Sequence, residues 1–448
     1  MLSSRLTRAL VALALALVAA AARPGAPALA SPPAAGDALD SLHAAPVLDI
    51  DLLERAAIAR NASLGAMREA WAGAEARADA AGALSDPMLD GMAAPRSLGN
   101  DAVMPRWEVG LSQHVPIFGQ RGLERAAARA EARAEGENVG AMRLDLIRDA
   151  RTLFYEIYEV ARAQAVNDEL RALVEQFRRV ALQKYAAGTV GESDALQAEV
   201  EIAMLDHERV VLLRERRTQD ARLRALLHDE GDAPFPEPPE SVFRGAASPD
   251  STRAAAVTLD VNTLPSVRAA AAMRDARAAE ERLAKRANAP EFTFMVRYDR
   301  GMAEPERRVL FGVGLNVPLW RGRIDARVRA ARAAVARADH EADARRDEAR
   351  AALTEAIARV EESGHERHVI DEGVIPATLR SLSSARSSYE ADRGDFLTLL
   401  NAERDLAKAR LAQYRADANY GKAIADLDRA LGTDPVGDAA DAPTEESR

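Results

Sequence analysis

The stretch from Val309 to Leu431 limits the folds open to this chain more than any other. Val309, Phe311, Val313, Leu315 and Val317 alternate with Leu310, Gly312, Gly314 and Asn316, the period-2 pattern of a strand with one fully apolar face. Pro318 ends that ladder, because it has no N–H to donate. From Arg323 the pattern turns helical for ~65 residues, dominated by Ala, Arg, Glu and Leu. At ~1.5 Å per residue that helix runs ~100 Å, several times the width of an ordinary domain. A turn around Tyr389 to Asp395 reverses the chain, and a second long helix runs from Phe396 to Leu431.

The same unit occurs earlier. Arg106 to Pro116 mirrors Arg308 to Pro318, at an offset of about 202 residues. Tyr185 to Leu196 mirrors Tyr389 to Leu400, at an offset of about 204. Strand, very long helix, tight turn and long helix are therefore duplicated in nearly constant register.

In chain order, Ser31 to Ala45 is Pro/Ala/Gly-rich and is expected to be disordered. Val47 to Ala81 reads as one helix with Ile58, Leu64, Met67 and Trp71 on its apolar stripe. Pro87 to Ala93 reads as a weak strand. The corresponding segment of the second half is clearer, with Phe292, Phe294, Val296 and Tyr298 facing one way. Two β-hairpins with long loops, Ala94 to Pro105 and Arg300 to Arg307, are expected. Gln120 to Ala187 is the first long helix, and Ser193 to Glu230 returns from its tip with Ser193 as N-cap. Pro265 to Asn288 repeats the entry helix. The division is 1–30, 31–45, a first repeat 46–230, a Pro-rich linker 231–264, a second repeat 265–431 and an acidic, disordered tail 432–448.

Residues 1–30 read as a secretory signal: Arg5 and Arg8 precede an apolar run from Ala9 to Ala22, too short for an ordinary membrane span. Ala28-Leu29-Ala30 fits the small-x-small cleavage rule, so the mature chain is expected to begin at Ser31. The chain contains no cysteine, so it has neither disulfides nor a lipobox thiol, and must hold together by packing and assembly. Without Arg5, Arg8 and Arg23 the formal charge falls from −10 to about −13. That balance argues against nucleic acid, which needs a basic footprint.

Four strands cannot close a barrel. In a bilayer an open edge is prohibitive, because each unpaired N–H or C=O costs several kcal/mol, and single-chain outer-membrane barrels start at about eight strands. Several chains must therefore pool their strands if the sheet spans a membrane; two would give about eight and three about twelve. A soluble sheet packed on helices is the alternative. The long helices need partners as well: Leu399, Leu400, Leu406, Leu411, Tyr414 and Leu427 recur with heptad-like spacing.

Gln113-x-x-Pro116, Phe118-Gly-Gln-Arg-Gly-Leu123 and Ala128-x-Ala130-Glu-Ala132 together resemble the first-repeat signature of TolC-type outer-membrane efflux proteins. Val317 to Arg323 resembles the second-repeat counterpart, and Gly188 to Leu196 and Asp395 to Arg404 resemble the two helical tips. The resemblance covers nearly all of residues 47–431. It implies a mainly α fold with a small β part, in which three copies share a twelve-stranded transmembrane β-barrel that continues into an α-helical periplasmic barrel. It implies a non-enzymatic, cofactor-free exit duct in a Gram-negative outer membrane, bedded in its lipid. The implied partners are a periplasmic adaptor (membrane fusion) protein and an inner-membrane transporter, for which the RND type is one candidate. Adaptor docking would fall on Gly188, Thr189, Val190 and Gly191 and on Asp392, Arg393, Gly394 and Asp395. The periplasmic gate would fall near Thr398 and Asn401, which carry no charge here, so Asp395 or Asp405 is the candidate acid. Asp392 stands where the family usually has Gly. A turn is still expected, since Asp tolerates the left-handed region and Gly394 enters it freely.

Other constellations lead to blander readings. His365 and His368 share a helix face with Glu362, but a metal needs three or four converging ligands, and a solvated face is expected. Met88, Met92, Met104, Met295 and Met302 cluster near the strands; thioethers suit Cu(I), yet barrel lining or lipid packing is the simpler account. The first-repeat wording is closer to ducts paired with heavy-metal exporters than with drug pumps. No P-loop, nucleophile elbow or zincin pattern occurs, and no acid–base set converges. A periplasmic coiled-coil adaptor or scaffold is the competing function.

Overall fold

The computed structural model describes residues 35–94, 107–116, 118–188, 191–242, 259–302, 304–391 and 393–436. The expected signal sequence, most of the first hairpin loop and the end of the acidic tail lie outside them.

Three helices open the described chain: α1 (Ala35–Ala44), α2 (Ile50–Arg60) and α3 (Ala62–Ala80). Two expectations are corrected here. The segment read as disordered up to Ala45 is helical from Ala35, because Leu39 and Leu42 bury into the core. The single helix expected from Val47 to Ala81 is broken at Asn61, whose extended backbone ends α2 while its side chain accepts from Leu64 N at 3.1 Å to cap α3. Its amide also donates to Leu226 O.

Next come β1 (Met88–Ala93), β2 (Trp107–Val115), α4 (Gln120–Ala186) and α5 (Ser193–Leu227). The second half follows with α6 (Pro265–Arg286), β3 (Glu291–Asp299), β4 (Val309–Asn316), α7 (Arg321–Val369), α8 (Ile375–Glu390) and α9 (Phe396–Leu431). Ser193 is the first residue of α5 rather than its cap; Glu192 precedes it and makes no side-chain capping bond.

The long helix of the second repeat is not uniform. Between α7 and α8, residues Ile370–Val374 form one π turn, in which Ile375 N–H reaches Ile370 O. Pro376 explains it: a proline inside a helix removes one i→i−4 bond and its ring crowds the preceding turn, which widening relieves. The uniform helix expected from Arg323 is thus interrupted at Pro376.

The four strands form one antiparallel sheet in the order β1-β2-β3-β4. Register places Leu89, Leu111, Val296 and Phe311 side by side, with Gln113, Phe294 and Val313 in the next row on the same face. The opposite face carries Asp90, Gly110, Arg297 and Leu310 in one row and Met88, Ser112, Met295 and Gly312 in another. β1 and β4 are both edges.

The main core lies where the N-terminal helices meet α4 and α5, with Leu42, Leu48, Leu53, Leu64, Leu146, Ile157, Tyr158, Leu223 and Leu227 fully or almost fully buried. Each contributes about 1.5–3 kcal/mol of transfer free energy. Inside it, Arg151 of α4 pairs with Glu54 of α2 and Asp428 of α9, tying the N-terminal helices to the last helix of the second repeat. The start of the tail expected to be disordered is held too, by Arg143 pairing with Asp434 at 2.6 Å.

Candidate functional site

The sheet is the first functional element. Its apolar face is open: Phe311 is 67 % exposed, and Leu89, Val109, Leu111, Phe294, Val296, Val313 and Leu315 are exposed with it. Contiguous apolar surface of this size marks an interaction surface. Aromatic residues bracket it. At one end Trp107 and Tyr298 lie 5.4 Å apart; at the other Phe118 and Phe292 lie 6.4 Å apart, beside exposed Leu319 and Trp320. The nine residues of β2 span about 30 Å along the strand. An apolar band between two aromatic girdles is the pattern that the lipid-facing side of transmembrane β-barrels carries. The reverse face is mixed: Glu108 pairs with Arg297, His114 with Glu291, and Met295 lies over Gly312, alongside Leu310. Met88 and Met92 are on this reverse face, Met104 lies outside the described residues, and Met302 follows β3.

The helical tips are the second element. At the first, Gly188 adopts φ +72°, the left-handed region that lets α4 end in a tight turn, and its N–H reaches Tyr185 O at 2.9 Å. Gly191 follows; Thr189 and Val190 lie outside the described residues. At the second tip, Arg393 N–H and Gly394 N–H both donate to Ser388 O at 3.0 Å. Gly394 does not use the left-handed region expected of it. Its role is close approach, since a Cβ there would sit 3.1 Å from Ser388 Cβ and from Tyr389 N. Asp392 lies outside the described residues. Asp395 caps α9, accepting from Thr398 N at 3.0 Å, and hydrogen bonds from Thr398 hold its carboxyl below the usual range.

Behind the tips the two hairpins lock together. Val174, Ala198, Leu205, Phe396 and Leu400 bury between α4, α5 and α9, and Phe177 meets Phe396 edge-on at 6.0 Å. Arg404 of α9 pairs with buried Glu201 of α5, and Arg410 pairs with Glu169 of α4 at 2.8 Å. Arg386 of α8 reaches buried Glu403 at 3.1 Å; burial pushes that carboxyl upward and Arg386 offsets part of the push.

Thr398, Asn401 and Asp405 lie at i, i+3 and i+7 on the exposed face of α9, opposite Leu399, Leu406 and the buried edge. Asn401 accepts from Arg404 Nη1 at 3.4 Å, and Asp405 faces Lys408 at 3.7 Å. Asp395, on the turn, belongs to the capping geometry. Higher on the same helix, Arg367 joins Asp417 at 2.7 Å beside the π turn, and Gln413 donates to Asp371 within it. Burial raises the Asp417 carboxyl, opposed by Arg367. This cluster was missed in the sequence; Pro376 was the available signal.

His365 and His368 are both exposed, and among the described residues no three His, Cys, Asp or Glu side chains converge as a metal site. Nor, among them, is any helix long and apolar enough to cross a membrane.

Residues 262–433 match the family model described as outer membrane efflux protein. No protein of curated function matches the chain by sequence. Solved structures resemble it over most of its length. A membrane protein from Pseudomonas aeruginosa superposes with TM-score 0.72 at 20% identity, covering 92% of this chain and 96% of that one. CusC, whose structures describe folding and transmembrane channel formation, gives 0.72 at 16% identity, covering 92% and 98%. The open state of the MtrE outer membrane channel of Neisseria gonorrhoeae gives 0.69 at 18% identity, covering 86% and 88%.

Proposed function

We propose that this chain, whose residues 262–433 match the outer membrane efflux protein model and whose fold resembles outer-membrane channels over most of its length, is the exit duct of a tripartite export system. One observation carries the reading: the sheet is amphipathic, bracketed by aromatics and open at both edges. Such a sheet is stable in a bilayer only if β4 of one copy pairs with β1 of the next. Three copies give a twelve-stranded wall with the polar face inward, and each copy adds two helical hairpins of about 50–100 Å to a periplasmic tunnel.

In this arrangement the strand loops open outward and the tips point to the inner membrane. Gly188 to Gly191 and Asp392 to Asp395 would receive a periplasmic adaptor, coupled to an inner-membrane transporter. Thr398, Asn401 and Asp405 would line the constriction behind them. The duct does no chemistry. It opens when packed tip helices shift from one arrangement to another. Heavy-metal cations are the cargo we favour, on the first-repeat wording from Gln113 to Ala132. The observed methionines line the reverse face singly along the strands, so a cation would pass the wall rather than bind it.

The test is a subunit count. The full chain, purified in detergent, should give the mass of three copies by native mass spectrometry and ion-conducting pores in planar bilayers. A monomer that stays in solution without detergent would overturn the reading and favour a periplasmic scaffold.

A further inference from the structure

The two repeats share a feature that they use differently. Phe118, Arg121 and Arg125 at the start of α4 recur as Trp320, Arg323 and Arg327 at the start of α7, at the same offset of about 202 that relates the strands. The spacing i, i+4 puts the two arginines of each set on one helix face, with the aromatic residue just before the helix begins. In the first repeat the guanidinium groups are engaged by the chain itself: Arg121 donates to Gly82 O at 2.5 Å and Arg125 to Ala81 O at 3.3 Å, satisfying carbonyls at the end of α3. In the second repeat Arg323 and Arg327 are exposed and make no ion pair or side-chain hydrogen bond among the described residues. Ile324, about 100° around α7 from Arg323, is buried while both arginines stay exposed.

The free pair lies directly below the sheet. Leu319 and Trp320 are 75 % and 76 % exposed and follow the end of β4. Along α7, Arg323 and Arg327 lie about 5 and 10 Å past Trp320, and their long side chains can reach back toward the girdle. The local charge is strongly biased: Arg321, Arg323, Arg327, Arg329 and Arg332 face Asp325 alone over these twelve residues of an otherwise acidic chain. Arg332 is paired with Glu281 and contributes little.

We propose that Trp320, Arg323 and Arg327 form a binding surface for the phosphate of an anionic phospholipid in the periplasmic leaflet, one per subunit. The inference rests on the reading that the sheet spans a membrane. Trp320 seats at the level of the ester groups, and the two guanidinium groups below it meet the headgroup. Two cations within a Debye length of a negative surface favour an anionic over a zwitterionic lipid by on the order of tenfold.

The experiment compares the full-length wild type with the double variant Arg323→Glu, Arg327→Glu and with Arg323→Lys, Arg327→Lys. Each is reconstituted into vesicles of phosphatidylethanolamine alone or with a quarter phosphatidylglycerol. Insertion is read by resistance to carbonate extraction, assembly by native mass, and lipid retention by mass spectrometry of the released complex. The wild type should retain phosphatidylglycerol about tenfold over phosphatidylethanolamine, less at high salt. The Glu variant should insert and assemble normally yet lose the preference, and the Lys variant should keep most of it. No preference in the wild type, or a preference that survives charge reversal, overturns the proposal. So does loss of assembly in the Glu variant, which would make the pair a subunit contact. Wild-type protein stripped from vesicles by carbonate would overturn the membrane reading itself, and insertion is scored separately for that reason.

Discussion

Gly421 provides a test in which two well-measured effects oppose each other. It lies in the middle of α9, where Ala would ordinarily stabilise a helix by about 1 kcal/mol. The Tyr155 ring of α4 lies against it. A Cβ at position 421 would come 2.5 Å from Tyr155 Cε2 and closer still to Cζ and Cε1. Carbon–carbon contact needs about 3.5–4.0 Å, so the ring must retreat by at least about 1 Å. It has little room, being buried and set edge-on against Phe154 at 5.3 Å. Overpacking a dense core costs about 1–3 kcal/mol, and a displaced aromatic ring belongs at the upper end. Net of the helix gain, Gly421→Ala should destabilise the packing of α9 on α4 by about 2 kcal/mol. The assay is the apparent thermal midpoint of the assembly in detergent, followed by far-UV circular dichroism, for the four members of a cycle with Tyr155→Leu. The two substitutions should couple by about 1 kcal/mol or more, because the shorter side chain makes room for the methyl group. A Gly421→Ala protein that melts higher than wild type, with additive effects across the cycle, would show that the close approach does not limit packing.

Three further outcomes follow from the same geometry. Phe311→Arg should cost about 2–4 kcal/mol in membrane assembly if its face meets lipid, while Thr293→Arg on the reverse face should leave carbonate resistance intact; the opposite result would mean the faces are reversed. Gly188→Asp and Gly394→Val should weaken co-purification with the adaptor while native mass still shows three copies, and loss of assembly would assign the tips a structural role instead. Glu403→Gln concerns pH: because burial raises this carboxyl in the folded chain, its contribution to stability is full below the unfolded value of about 4.5 and is lost as pH rises through the higher folded value. The variant should therefore lose less stability than wild type as pH rises above about 4.5, measured as the shift in thermal midpoint; an unchanged slope would mean that Arg386 cancels the effect of burial.

The sheet was legible because a strand writes its two faces into alternate residues. Val309 to Asn316 and Phe292 to Tyr298 declare an apolar side, and the observed register lines those residues up across β3 and β4. The long helices were legible as helices for another reason, their Ala, Arg and Glu content and near absence of breakers. The breaks that do occur depend on single residues whose effect is local. Asn61 ends one helix and starts another, and Pro376 widens a turn without ending the rod. Neither disturbs the surrounding composition, so a reading by windows passes over both. At the tips, Gly394 was read for its backbone freedom, but the structure uses its missing side chain, and only the position of Ser388 could have revealed that. The helix faces are harder still. Alanine seams such as Ala130, Ala134, Ala276 and Ala279 let helices approach closely without a strong apolar stripe, so inner and outer sides carry nearly the same composition. In the proposed duct the helical wall would take its sidedness from the sheet it hangs on: the polarity of the strands would decide which side faces the bore, and the helices would inherit that choice through the turns at Gly119 and Trp320.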